Sequence, residues 1–212
     1  MIKFSIFGIN FFVSVGFFGI VTLMLYIDKT GLMFPTALAV VVHELGHLLA
    51  LIIFKSKPES ITLKVGTVGI SGRFILTPRS EIFMLFAGPV FNLVLFFIFL
   101  GFHFVFKNSL LLNSALVMLV VGGFNLLPII GLDGGGILKL ILGFRFKTST
   151  MNIILYSVSV ATISLILLLG FFILVDTKSN ISLILMGLYL LLGILLSKKQ
   201  KNYCKISQNI VK

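Results

Sequence analysis

The sequence predicts an all-α polytopic membrane protein of about six transmembrane helices, with a small β-strand or hairpin element at the cytoplasmic membrane face. Three observations lead there. The 212 residues are 58% hydrophobic and only 11% charged, whereas about a quarter of a soluble domain is charged. Apolar runs close to the ~20 residues that cross a bilayer recur along the chain, and the basic residues gather on one predicted side of them. The same composition excludes disorder, and a lone cysteine, Cys204, excludes an internal disulfide framework. A net charge of +11 would suit nucleic acid on a polar surface, but long apolar runs separate these charges. The expected partner is therefore the lipid bilayer, with no nucleic acid.

The elements follow in order. Ile2, Phe4 and Ile6 alternate as a strand would. Ile9 to Ile27 is the first span; one lysine precedes it and no small-x-small cleavage site follows, so it reads as permanent rather than as a signal peptide. Leu32 to Phe54 is the second span. Ile61 to Leu76 mixes period-two alternation with Gly66, Gly69 and Gly72, which predicts a strand or hairpin, with an irregular interfacial loop as the competing reading. Ile82 to Phe106, Leu110 to Ile130, Met151 to Val175 and Ile181 to Ser197 complete the spans. Residues 1–197 are thus expected to form a single transmembrane domain and 198–212 a basic cytoplasmic tail, without internal repeats.

Six spans with both termini inside put fourteen lysines and arginines in cytoplasmic pieces and only Lys29, Lys107 and Lys178 outside. One span more or fewer would reverse every later loop, so the asymmetry tests the count as well as the orientation.

The second span contains His43-Glu44-Leu45-Gly46-His47. On a helix, residues i and i+4 share a face, so both imidazoles can reach one Zn²⁺ with Glu44 beside the activated water. Charged and ionisable groups in a bilayer helix are costly and rarely present without a partner or a role. The competing reading is a polar cluster that holds helices together. A catalytic zinc wants a third protein ligand and one open position. His103 lies near the opposite end of its span. Asp28, Asp176, Glu59 and Glu81 read as solvated charges near lysines or basic loops. Asp133 differs: Pro128 breaks the fourth span and the four glycines around Asp133 let the chain turn sharply, and unwound backbone at membrane depth is tolerated only against protein or water. Asp133-Gly-Gly-Gly136 alone would read as a turn; with His43 and His47 it completes a His-His-Asp site holding one Zn²⁺ per chain.

The pair HELGH and Asn125-Leu-Leu-Pro-Ile-Ile-Gly-Leu-Asp133-Gly-Gly resembles the two signatures of the site-2 protease family of intramembrane zinc metalloproteases, with the sporulation branch, the stage IV sporulation protein FB type, the nearest in look. Gly88-Pro89-Val90-Phe91-Asn92 matches a third family element. The likeness runs roughly from Lys3 to Gly136. It implies that His43, His47 and Asp133 bind zinc, that Glu44 is the catalytic base, and that Asn92 and Asn125 contact substrate. It also implies a membrane-embedded or membrane-associated protein substrate, such as a sigma-factor precursor, and membrane regulatory partners. Members often carry an appended PDZ or CBS domain; neither is expected here. The alternative is a non-catalytic metal-binding scaffold or a transporter. A transporter predicts polar residues along a midplane path and related halves, and the spans show few of the former and none of the latter.

Overall fold

The computed structural model describes residues 2–6, 9–13, 26, 28, 31–56, 60–64, 67–71, 76–178 and 181–195. They fall in two compact units, within residues 1–125 and 126–212.

The first unit joins a sheet to three helices. Strands β1 (Ile2–Ile6), β2 (Ile9–Val13), β3 (Ser60–Lys64) and β4 (Thr67–Ser71) lie side by side in chain order. The β1/β2 and β3/β4 pairs are antiparallel, and β2/β3 is parallel with Phe11 opposite Ile61. A parallel pair needs a long crossover, and here it passes through α1 (Met33–Ile53). The first expected span therefore begins differently from the sequence reading: Ile9–Val13 is a strand hydrogen-bonded on both sides. A continuous apolar run has no period to separate strand from helix. The rest of that span lies largely outside the described residues.

Helix α1 starts where the Asp28 carboxylate accepts from the Gly31 and Met33 amides, at 3.0 and 2.9 Å. Those donors would otherwise lack partners, so Asp28 is a cap rather than a free surface charge. At the other end Lys55 takes a left-handed conformation, φ 54°, while Ser56 N–H reaches the Leu51 carbonyl and Lys55 N–H the Ile52 carbonyl. These are the two bonds of a Schellman stop. Helix α2 (Pro78–Phe106) opens with Thr77 Oγ1 accepting from Ser80 N–H and with proline at its first position. Helix α3 (Ser109–Asn125) ends five residues short of the expected span, ahead of Pro128. The three helices pack on one another.

The second unit holds α4 (Asp133–Gly143), α5 (Thr148–Thr177) and α6 (Ser182–Leu195), with α4 against α5. Among the described residues, α1, α2 and α5 are long and apolar enough to cross a membrane; α3 and α6 are apolar but shorter. Much of their apolar surface is exposed, including Phe97, Phe104, Phe172 and Leu192. Lipid is the environment in which such faces are stable.

Candidate metal centre

Both histidines face inward from α1, His43 5% and His47 6% exposed. Their rings meet edge to face, 4.7 Å between centroids and 87° between planes, with the two Nε2 atoms 3.1 Å apart. Two nitrogens bound to one tetrahedral zinc at about 2.0–2.1 Å stand about 3.3 Å apart, so the pair is spaced as neighbouring ligands of one ion. His47 Nδ1 lies 2.8 Å from the Met84 carbonyl. Because a carbonyl only accepts, Nδ1 carries the proton and Nε2 keeps its lone pair for a metal.

What brings α2 so close is an absence of side chains. A Cβ on Gly46 would stand 2.7 Å from the Ala87 carbonyl oxygen, and one on Gly88 would stand 2.6 Å from His47 Nε2 and 2.8 Å from His43 Cε1. Small residues at helix crossings let backbones approach; here they also leave room for both imidazoles. Asn92, one turn beyond Gly88, is 0% exposed, and its amide nitrogen lies 3.4 Å from His43 Nδ1. Glu44, next to His43 on α1, is half-buried.

Asp133 is the first residue of α4 and is half-buried. A carboxylate suits that position, where helix amides point outward. The chain leading to it is irregular. Pro128 has no donor to offer, Ile129 is fully buried, and Gly131 turns the chain at φ 101°. Leu132 N–H closes a turn to the Ile129 carbonyl. Any Cβ on Gly134 or Gly135 would overlap the Leu126 and Ile129 carbonyls respectively, so these glycines let α4 begin against the loop itself. Ser159, fully buried on α5, fastens the loop by accepting from Ile130 N–H at 3.0 Å.

His43 and His47 belong to the first unit and Asp133 to the second, and each offers one atom that can bind a metal. Two imidazoles and a carboxylate fit zinc with an open position. Asn125, the last residue of α3, turns its amide back to the Val121 carbonyl of its own helix at 3.0 Å. Gly46 and Gly88 stand within the sequence motifs, but their packing role, the Met84 carbonyl and Ser159 are not legible there. Met84 acts through its backbone, so its identity carries no signal. A serine in an apolar run was the one available signal for Ser159.

No protein-family model matches the chain. Over 161 residues it is 29% identical to a zinc metalloprotease of Methanocaldococcus jannaschii, the match covering 73% of this chain and 45% of that protein. The chain thus spans less than half the length of this curated relative. A solved structure, a site-2 protease from the same organism, matches with a TM-score of 0.66 and 26% identity over 91% of this chain and 92% of that one. Both likenesses agree with the site-2 protease resemblance of the motifs; neither is to the sporulation branch.

Proposed function

We propose that the chain is an intramembrane zinc metalloprotease that hydrolyses peptide bonds of membrane-embedded or membrane-associated substrates. The observation that carries it is the convergence of the two Nε2 atoms of His43 and His47, 3.1 Å apart on a helix that bears Glu44 between them. The likeness to a zinc metalloprotease and to a site-2 protease structure, both from Methanocaldococcus jannaschii, supports it. One zinc, held by His43, His47 and Asp133, would polarise the scissile carbonyl and make water nucleophilic near neutral pH. Glu44 takes the proton from the attacking water and returns it to the leaving amine. The Met84 carbonyl keeps His47 in the tautomer that leaves Nε2 free. Asn125 retains a role on the substrate side.

In this reading the chain is multi-pass with both termini in the cytoplasm, and water arrives from that side. A substrate helix must unwind before its carbonyls are open to attack, and the extended segment can then add to a sheet edge. The strand expected within Ile61 to Leu76 is one place where such a segment could dock. Strand β3 is paired on both sides, so docking belongs to β1 or β4, the edges of the sheet among the described residues. The sporulation-type look of the motifs suggests a sigma-factor precursor as substrate and membrane proteins as regulators.

The test is Glu44→Gln, purified for zinc analysis and co-expressed with a membrane substrate for cleavage. It should keep zinc while cleavage of a co-expressed membrane substrate falls at least a thousandfold, and chelation of the native protein should abolish cleavage until zinc is returned. Cleavage by Glu44→Gln at the native rate would overturn the assignment.

A further inference from the structure

Asn92 is the one described residue with a buried side-chain polar atom, Oδ1, that lacks a hydrogen-bond partner. Resting on the zinc site proposed above, its place beside His43 gives that atom a task. A histidine that offers Nε2 to a metal must carry its proton on Nδ1, and that N–H needs an acceptor. His47 has the Met84 carbonyl. His43 Nδ1 faces the Asn92 amide at 3.4 Å, through Nδ2, a group that donates and cannot accept. The oxygen and nitrogen of an amide exchange places by a half-turn about the last side-chain bond. With Oδ1 toward His43, the amide accepts Nδ1–H and both imidazoles present Nε2 lone pairs to the same point.

We infer that Asn92 is a positioning residue: its side-chain oxygen accepts the Nδ1–H of His43 and fixes the tautomer and ring orientation in which His43 binds zinc. This differs from the substrate contact expected from the sequence. Asn92 is fully buried on α2, and its amide lies against Nδ1, the ring nitrogen that would not hold the metal.

The experiment measures zinc affinity by chelator competition, and the visible spectrum of the cobalt-substituted protein, for the native chain, Asn92→Leu, Asn92→Asp and His43→Ala in detergent. Asn92→Leu removes the acceptor and should weaken zinc binding 10- to 100-fold, change the cobalt spectrum, and recover cleavage as zinc is raised. Asn92→Asp keeps an acceptor and should bind zinc at least as tightly as the native chain. Zinc affinity within threefold of native in Asn92→Leu, with cleavage lost and not recovered by zinc, would assign Asn92 to substrate and overturn the inference. If Asn92→Leu does not fold, Asn92→Asp decides: a tenfold loss of affinity there overturns it. A native chain that binds zinc no better than His43→Ala would mark failure of the metal site itself, a separate result.

Discussion

The histidine pair and the aspartate are placed by opposite kinds of backbone. His43 and His47 sit on an unbroken helix, and their spacing is inherited from the 3.6-residue period. The contact between Gly46 on α1 and the Ala87–Gly88 stretch of α2 then presses the two helices together around the rings. Asp133 follows a stretch with no repeating geometry, in which Pro128, Gly131 and the turn from Leu132 to Ile129 each set one bend. Two proposed ligands that must share a face are obtained from a regular element. A single ligand at a helix start is obtained from a loop that other groups must hold.

The comparison makes the regular element intolerant of added volume at one point. Gly88→Ala places a methyl group within 2.6–2.8 Å of both imidazoles, and real Cβ atoms do not approach so closely. The rings or the helix must move. Zinc content, read by atomic absorption on purified protein, should fall to the level of His43→Ala, with cleavage undetectable, while the detergent-solubilised protein keeps its helical circular dichroism. Full zinc occupancy in Gly88→Ala would mean that the crossing of α1 and α2 is looser than described.

On the loop side, Gly135→Ala drives a methyl into the Ile129 carbonyl, which backbone rather than a flexible side chain must yield. Overpacking of this sort costs about 1–3 kcal/mol. The midpoint of thermal unfolding should drop, and zinc affinity should weaken less than in Gly88→Ala, because two of three ligands stay in place. Equal losses in the two variants would erase the distinction between the regions.

What the sequence disclosed follows the same division. The i, i+4 pair was legible because helix geometry is local, and Pro128 marked the break because a missing N–H is a property of the residue itself. The helix that starts at Asp133 was not expected, because three glycines at its start read as a turn, and hydropathy carried the fourth span to Ile130 although α3 stops at Asn125. Ile9–Val13 was misread because its partners include Ser60 to Leu63, about fifty residues away, and strand pairing leaves no mark in an apolar run. Asp28 looked like a solvated charge because capping depends on where α1 begins. Gly88 differs from these cases. Its role is a distance between two helices, which no single-chain pattern encodes.

The smallest effect expected lies at Ser159, whose hydroxyl serves the loop from α5. Its Oγ accepts from Ile130 N–H and lies 2.7 Å from the Leu155 carbonyl and 3.3 Å from that of Pro128. Ser159→Ala leaves the Ile130 amide without this partner in an apolar setting, a penalty of about 1–3 kcal/mol, partly relieved if the loop shifts. No ligand is removed and no volume is added, so zinc should still bind stoichiometrically. A loop free to shift should present Asp133 less consistently, and cleavage should fall about tenfold with zinc affinity lowered a fewfold. Ser159→Thr, which keeps the hydroxyl, should recover most of the lost rate if the added methyl is accommodated. If Ser159→Ala cleaved at the native rate with unchanged zinc affinity, Pro128, Gly131 and the buried Ile129 would suffice to hold the loop, and the irregular region would be as self-determined as the helix that carries the histidines.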